Sequence, residues 1–261
     1  MAFFVCFFVL FLASSASACD RCAHQSKASH FPKDSPPLSP GACGYDSLAL
    51  DISFRKLAAG AALLFNNGAG CGACFQVRCK NPDLCTKAGT RVTLTDLNPS
   101  NETDFVLSSR ALTAMALKEK RKEILKHDIL DIEYKRVPCE YADQKLAVRV
   151  EESSKKPDSL VIKILYQGGQ TEIVGVNVAQ IGSSEWEYMT RHHGAVWETS
   201  KVPKGALQLM FVVTAGYDGK QVVAKKVLPA NWKIGKIYDS DIQITEIAQE
   251  ECPICADEKW E

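Results

Sequence analysis

The cysteines of this chain divide it into a bridged half and a half without bridges. Eight of the eleven cysteines lie from Cys19 to Cys139, and none follows until Cys252. In the first half, glycine or asparagine stands beside cysteine in GACGYDSL, NNGAGCGACF and CKNPDLC. Small residues let two backbone segments approach closely around a bridge. The first half is therefore expected to be a turn-rich domain held together by disulfides.

The first 18 residues, MAFFVCFFVLFLASSASA, predict a secretory signal peptide. They are apolar through Leu12 and end in Ala16-Ser17-Ala18, a sequence typical of a cleavage site. The apolar run is about 12 residues long, whereas a membrane-spanning helix needs about 20. We therefore expect a secreted chain that begins at Cys19 and retains ten cysteines, most of them paired in an oxidising compartment.

The charge balance argues against partners that are held by a strong overall field. The chain has 31 basic and 31 acidic residues, so its formal net charge is zero. A neutral chain has no global potential that draws it to nucleic acid or to a membrane surface. No HExxH motif, phosphate-binding loop or nucleophile elbow occurs. We expect a monomer without a cofactor.

Hydrophobic periodicity predicts two β domains. In the first half FQVRC, RVTLTDL and ILDIEYKRV predict strands, after an irregular, proline-rich segment over residues 19–40. In the second half LAVRVEE alternates apolar and polar residues, and further short strand patterns follow between turn residues, which indicates an all-β sandwich. One amphipathic helix is predicted over residues 111–126, with Ser109 as its N-cap.

Motifs in both halves resemble plant expansins. GACGYDSL, GAGCGACFQVRC, VTLTDLNP and DIEYKRVPC match the first expansin domain, and KPDSLVIKILYQGG, IVGVNVAQIGSSEWEYM, GAVWETS and VLPANWKIGKIYDSDIQ match the second. The CDRC start and the C-terminal CxxC are similar to the expansin-like A branch. The resemblance implies a mainly β fold, in which a six-stranded double-psi β-barrel is followed by an immunoglobulin-like, polysaccharide-binding β-sandwich. We place the barrel at residues 41–143, the sandwich at 146–245 and a tail at 246–261.

The resemblance also implies a disulfide pattern. The implied pairs are Cys43 with Cys71, Cys74 with Cys139, and Cys79 with Cys85. The resemblance does not assign Cys19, Cys22, Cys252 and Cys255. Two CxxC pairs favour disulfides in a secreted chain, but four thiolates also suit a zinc site, and free redox thiols are a third alternative. Four cysteines allow three connectivities, so their pairing stays open.

The resemblance places a catalytic acid just before the predicted helix, in a His-Phe-Asp-Leu-Ser motif. The matching segment here is DFVLS, residues 104–108, so Val106 occupies the acid position. Valine cannot exchange a proton, and an inverting glycosidase needs two carboxyl groups. Asp104 lies about 6.6 Å along an extended strand from Val106, a displacement that disrupts proton-transfer geometry. We therefore expect no catalytic residue.

Five residues are candidates for binding polysaccharide, namely Asp96, Tyr45, Phe31, Asp104 and His193. Asp96 matches an aspartate in the groove of related expansins, where it would accept hydrogen bonds from sugar hydroxyls; it would equally cap a turn before the following Asn-Pro. Tyr45 suits either the groove or the core. Phe31 ends a Ser-His-Phe run that aligns loosely with an aromatic pair of the family.

The flat aromatic platform of the second expansin domain is altered in this chain. The resemblance places Ser159 and His193 where the family has a tyrosine and a tryptophan. Stacking on a sugar needs a flat ring, which serine lacks and histidine provides only in small form. Trp186 and Trp197 are predicted to be core residues. Asn101 begins the sequon NET, which predicts a glycosylated, accessible surface.

These features favour a secreted cell-wall protein that binds polysaccharide, either cellulose or a matrix glycan, and loosens non-covalent contacts between polymers without hydrolysis. One alternative is a weak endoglucanase that uses Asp96 with Asp104. The other is a wall interaction protein that binds no sugar, which the altered platform would permit.

Overall fold

A computed structural model describes residues 22–31, 41–214 and 219–248 of the chain. The predicted signal peptide, Cys19, Cys252 and Cys255 lie outside these ranges. The strands are β1 (His24–His30), β2 (Leu57–Gly60), β3 (Cys74–Cys79), β4 (Thr90–Leu97), β5 (Phe105–Leu107), β6 (Leu130–Val137), β7 (Ala147–Val150), β8 (Leu160–Leu165), β9 (Ile173–Gln180), β10 (Glu187–His193), β11 (Val196–Thr199), β12 (Leu207–Val213), β13 (Lys220–Leu228) and β14 (Ile237–Asp239). The α-helices are α1 (Ala49–Ile52), α2 (Ala62–Phe65), α3 (Ser109–Met115) and α4 (Arg121–Ile124), and short 3-10 helices lie at Asp46–Leu48, Asn66–Gly68 and Lys118–Lys120. Among the described residues, no helix has the length and apolarity to cross a membrane.

Six strands close the first domain into a barrel in the order β1-β5-β2-β4-β3-β6. Leu94, Ala58 and Leu107 stand side by side on β4, β2 and β5, and all three are fully buried inside it. Phe105 adds an edge-to-face contact with Phe75 at a centroid distance of 5.4 Å. The six-stranded barrel that the resemblance implied is confirmed, and its interior is a packed hydrophobic core.

The first barrel strand lies in a segment that was predicted to be irregular. β1 pairs antiparallel with β6 and parallel with β5. Its sequence, HQSKASH, has only one buried side chain, that of Ala28, so it lacks the apolar alternation by which a strand is recognised. Its two neighbours supply the backbone hydrogen bonds that define it as a strand. The prediction of irregular structure over residues 19–40 is therefore wrong for His24–His30.

The helix predicted over residues 111–126 is divided into shorter pieces. Ser108, not Ser109, caps α3, because the Ser108 hydroxyl accepts a hydrogen bond at 3.3 Å from the amide three residues later. α3 ends where Ala116 becomes extended and pairs with Cys85. Cys85 is fixed by a disulfide, so a tertiary contact overrides the local helical pattern. The short helices α1 and α2 were not predicted.

Three disulfides lie in the described part of the barrel domain, namely Cys43–Cys71, Cys74–Cys139 and Cys79–Cys85. These are the pairs that the resemblance implied. They join cysteines that are 28, 65 and 6 residues apart in sequence. Bridges of this kind stabilise by about 2–4 kcal/mol each. Cys22 is also disulfide-bonded, and its pairing among the terminal cysteines stays a prediction.

The eight strands that follow form the second domain, in the order β13-β12-β9-β10-β11-β8-β7-β14. The sheet folds over one hydrophobic core, which contains the large aromatic side chains of Trp197, Trp232 and Phe211, each at most 5% exposed. Trp197 is therefore a core residue, as predicted. Trp186 is only half-buried and does not belong to that core, so the prediction for Trp186 is wrong.

The two domains contact each other through ion pairs and backbone hydrogen bonds. Arg136 of β6 pairs with Glu172 at 3.1 Å, and both side chains are largely buried. The Ala195 amide donates to the Cys43 carbonyl at 3.2 Å. Gly194 lies so close that a Cβ there would be 2.4 Å from the Cα of Cys43. The turn between β10 and β11 is therefore pressed against the barrel segment that contains Cys43.

Candidate functional site

One row of residues, here called the outer row, crosses the outer face of four barrel strands. Ser29 of β1 pairs with Val106 of β5, Val106 pairs with Ala59 of β2, and Ala59 pairs with Asp96 of β4. Directly paired residues project from the same face of a sheet. Neighbouring strands lie about 4.8 Å apart, so the Cα atoms of Val106 and Asp96 are about 10 Å apart. The predicted acid position and the predicted groove aspartate thus lie in one row.

A β-bulge directs Asp96 toward this outer face. Ala58 and Ala59 are consecutive on β2, whereas their partners on β4 are Leu94 and Asp96. Thr95 is the extra residue between these partners. In a regular strand Asp96 would point the same way as Leu94, which is fully buried in the barrel. The inserted residue reverses that orientation, which is a common effect of bulges near functional sites.

The Asp96 carboxylate holds the loop that begins at Gly41. Its Oδ1 accepts hydrogen bonds from the Ala42 amide at 2.5 Å and from its neighbour, the Leu97 amide, at 2.8 Å. Gly41 has a φ of +58°, and a Cβ there would lie 3.1–3.3 Å from the carboxylate atoms of Asp96. No described residue donates a hydrogen bond to Oδ2 of this half-buried side chain. Asp96 therefore fixes the loop with Oδ1 and leaves Oδ2 available to accept a hydrogen bond from a ligand.

Asp104 lies on the other side of Val106 from Asp96. Its carboxylate accepts a 2.6 Å hydrogen bond from the Ser26 hydroxyl on β1, and β1 flanks β5 on the side opposite to β2. Two strand spacings and two residues separate Asp96 from Asp104, which corresponds to about 12 Å between their Cα atoms. An inverting glycosidase holds its two carboxyl groups about 6.5–9.5 Å apart. The Ser26 hydroxyl holds the Asp104 carboxylate on the side of β5 away from Asp96, so the two carboxyl groups do not converge on one point.

The two aromatic candidates of the first domain differ in access. Phe31 is half-buried and follows Ser29 by two residues, and its amide donates to the Leu107 carbonyl at 3.1 Å. Its position beside the outer row permits a contact with a ligand there. Tyr45 is 4% exposed and belongs to the barrel core. Burial raises the pKa of its hydroxyl far above 10, and the buried ring offers no face to a sugar. The groove role considered for Tyr45 is therefore wrong.

The loop held by Asp96 also reaches the second domain at His193. Gly44 of this loop has a φ of +72°, and a Cβ there would lie 2.6 Å from Nε2 of His193. His193 is exposed on one side, and its Nδ1 lies 2.5 Å from Nδ1 of His192. Desolvation and then the charges of His192 and Lys163 lower the pKa of His193 below 6.5. Asp96 of the barrel domain and His193 of the sandwich domain, both candidates for polysaccharide binding, therefore flank one loop.

A buried lysine at this junction was missed by the sequence analysis. Lys163 of β8 has a side chain that is 2% exposed, and its Nζ lies 3.0 Å from Asp46 and 3.1 Å from Glu151. These three residues line a cavity of about 220 Å³ together with His193. The sequence does contain a signal, because a single lysine interrupts the apolar run LVIKIL. A charge inside a buried strand requires charged or hydrogen-bonded partners.

The remaining predicted positions are polar and lie at the surface. The Ser159 hydroxyl accepts a 3.1 Å hydrogen bond from the Lys155 amide, so it closes a turn and presents no flat surface. Asn101 is exposed in the turn between β4 and β5, where a glycan would have access. In the described part of the chain, no cluster of three or more potential metal ligands occurs.

A closed six-stranded barrel followed by a β-sandwich is the architecture of an expansin. Residues 57–134 match a family model described as lytic transglycolase, and residues 146–229 match the expansin C-terminal domain. The chain is 59% identical to Expansin-like A2 of Arabidopsis thaliana over 254 residues, which covers 97% of this chain and 96% of that protein. It is 47% identical to Expansin-like A3 of Oryza sativa subsp. japonica over 251 residues, which covers 94% and 91%. The chain therefore belongs to the expansin family, in its expansin-like A branch.

Solved structures share the same fold. A single-site variant of the Clavibacter michiganensis expansin in complex with cellohexaose superposes with a TM-score of 0.63 at 23% identity, over 85% of this chain and 97% of that chain. The apo form of that expansin gives a TM-score of 0.62. At this level of identity the likeness concerns the arrangement of both domains and does not extend to individual side chains.

Proposed function

We propose that this chain is a secreted plant cell-wall protein that binds wall polysaccharide along the outer row and the adjoining domain junction. In this proposal it loosens non-covalent contacts between polymers and does not hydrolyse them. The observation that carries the proposal is the outer row itself, in which Asp96 presents one carboxylate oxygen that no described residue bonds, two strands away from Val106. The apolar leader supports secretion, and the cellohexaose complex of the Clavibacter expansin supports a glucan or related chain as the ligand.

The chemistry of the outer row suits binding. The free oxygen of Asp96 can accept hydrogen bonds from sugar hydroxyls, and charged acceptors make stronger hydrogen bonds than neutral ones. Val106, which is half-buried, provides apolar contact for the C–H face of a sugar ring, whereas Ala59 is 2% exposed and offers none. Phe31 lies two residues beyond Ser29 and adds an aromatic surface at one end of the row. A chain along the row would meet the loop that leads to His193.

The same chemistry argues against hydrolysis. Cleavage by inversion needs one carboxyl group to protonate the leaving oxygen and another to activate water. Val106 occupies the position that the family assigns to the acid, and the Asp104 carboxylate is engaged by Ser26 at 2.6 Å on the far side of β5. The weak-endoglucanase alternative therefore lacks a suitable pair.

Depletion binding and a reducing-end assay, performed side by side, test the proposal. The purified, glycosylated mature protein would be mixed with cellulose, xyloglucan, arabinoxylan and pectin. We expect binding to at least one polymer without new reducing ends. New reducing ends that disappear in both Asp96→Asn and Asp104→Asn would instead establish the endoglucanase. No binding to any of the polymers would favour the interaction protein that binds no sugar.

A matched pair of variants locates the binding site. Asp96→Asn removes the charge in the outer row but keeps an oxygen for the Ala42 amide, so we expect weaker binding in a folded protein. Asp128→Asn removes the same charge from an exposed aspartate outside the outer row and serves as its control. Equal loss of binding in the two variants would show that general surface charge, and not the outer row, holds the polymer.

A further inference from the structure

A second pocket, separate from the outer row, lies where α1, β3, β4 and the segment after β6 meet. It has a volume of about 310 Å³, at the lower end of the range of small-ligand sites. Phe54 and Tyr141 form its aromatic wall, with ring centroids 6.0 Å apart. The Tyr141 hydroxyl donates to the Ile52 carbonyl at 2.9 Å, which fixes this wall against α1. None of the residues that line the pocket belongs to the outer row.

Phe54 is exposed and conformationally unfavourable. Its side chain is 63% exposed, and its φ is +49°, in the left-handed region that a bulky residue rarely adopts. The next residue, Arg55, has a φ of +63° but does not line the pocket. Glycine would make the same turn without strain. Burial therefore does not account for Phe54, and strained residues of this kind concentrate at ligand sites.

The charged side chains of the pocket favour an anion. Lys56, Arg91 and Glu140 line it, so two cations face one carboxylate and the sum is +1. Lys56 forms no salt bridge with any described residue. Arg91 pairs with Glu140 at 3.1 Å, but their side chains are 41% and 73% exposed. A pair this exposed contributes little, so a second carboxylate can share or displace it.

We propose that this pocket binds a ring that carries one carboxylate, with the ring on Phe54 and the carboxylate between Lys56 and Arg91. Two sources supply this chemistry in a plant wall, namely a uronic acid residue of a polysaccharide and a free aromatic acid. The volume admits one ring, and the single net positive charge matches one carboxylate. The pocket shares no residue with the outer row, but the choice of these two ligand sources rests on the proposed location in the wall.

Calorimetric titration of the mature protein separates these ligands. The probes are the monosaccharide galacturonate, its neutral methyl ester and 4-hydroxybenzoate. We expect a carboxylate probe to bind, and the methyl ester to bind at least about tenfold more weakly because it lacks the charge-assisted contact. Binding of galacturonate identifies a uronic acid, and binding of 4-hydroxybenzoate alone identifies an aromatic acid. Equal binding of the ester and the acid, or no binding of either carboxylate, overturns the proposal.

Two pairs of variants test the assigned residues. Phe54→Gly and Arg55→Gly each relieve one strained position, so we expect neither variant to lower the melting temperature. Only Phe54→Gly should weaken binding of the carboxylate probe, by about tenfold. Lys56→Gln should weaken binding similarly, whereas Lys204→Gln, at an exposed lysine of the sandwich, should leave it unchanged. A lower melting temperature for Phe54→Gly with unchanged affinity would show that Phe54 serves packing. Asp96→Asn should not alter the binding of these probes to the pocket. A failure of this proposal is therefore distinct from a failure of polysaccharide binding at the outer row.

Discussion

Lys163, the buried lysine of the domain junction, has two carboxylate partners, and removing the charge of either one is predicted to change stability by a different amount. Lys163 contacts Glu151 of its own domain and Asp46 of the barrel at nearly equal distances, 3.1 and 3.0 Å. The two carboxylates differ in burial, since the Glu151 side chain is 14% exposed and that of Asp46 is 51% exposed. We therefore expect Glu151→Gln to destabilise the sandwich far more than Asp46→Asn.

The expected magnitudes follow from that difference in exposure. Removing one partner of a buried ion pair costs about 3–5 kcal/mol, because the other charge is left in a medium of low polarity. Lys163 keeps Asp46 in the Glu151→Gln variant, so we expect a smaller loss of about 2–3 kcal/mol. Asp46 is half exposed, so Asp46→Asn should cost about 0–1 kcal/mol. Glutamine retains an oxygen for Arg149, which bonds Glu151 at 2.9 Å.

Urea unfolding without reducing agent, followed by tryptophan fluorescence, measures both effects, because Trp197 is in the sandwich core. A double variant, Lys163→Met with Glu151→Gln, should recover most of the stability, since an apolar residue can replace a buried ion pair at little cost. Equal losses for the two single variants, or a larger loss for Asp46→Asn, would refute the reasoning from burial.

Four further predictions concern Asp96, His193 and the loop from Gly41 to Gly44 that contacts both of them. Asp96→Ala should destabilise the barrel by about 1–3 kcal/mol more than Asp96→Asn, because alanine leaves the Ala42 amide without its acceptor; thermal unfolding compares the two. Gly44→Ala should lower the melting temperature, since it combines a φ of +72° with a 2.6 Å approach to His193, and an unchanged value would contradict this account. The pKa of His193 in the folded protein lies below its unfolded value of 6.5. Neutral His193 therefore contributes stability above about pH 6.5, and this contribution is lost as the pH falls from 6.5 through the folded pKa. Removing the charge of His192 by His192→Gln should raise the pKa of His193 toward 6.5 in an NMR titration, and a fall would contradict the assigned cause.

Several features could be predicted because their signal is local in the sequence. The strands β3, β4 and β6 carry apolar residues at alternating positions, and the second half repeats this pattern between turn residues. The resemblance to expansin motifs predicted the pairing of the three barrel disulfides. Other features carried no such signal. β1 has one buried side chain, so only its pairing with β5 and β6 reveals it. The helix break at Ala116 arises from pairing with Cys85, a residue far away in sequence.

The candidate site shows the same division between sequence and structure. The sequence by itself determined that valine stands at residue 106 and that Asp96 follows a strand, and side-chain chemistry then limits what each can do. Only the tertiary structure decided that the two lie in one row, because closure of the barrel sets β5 beside β2 and β2 beside β4. The bulge at Thr95 decided which way Asp96 points. Strand order and register depend on contacts between residues distant in sequence, and this is why local pattern alone does not reveal them.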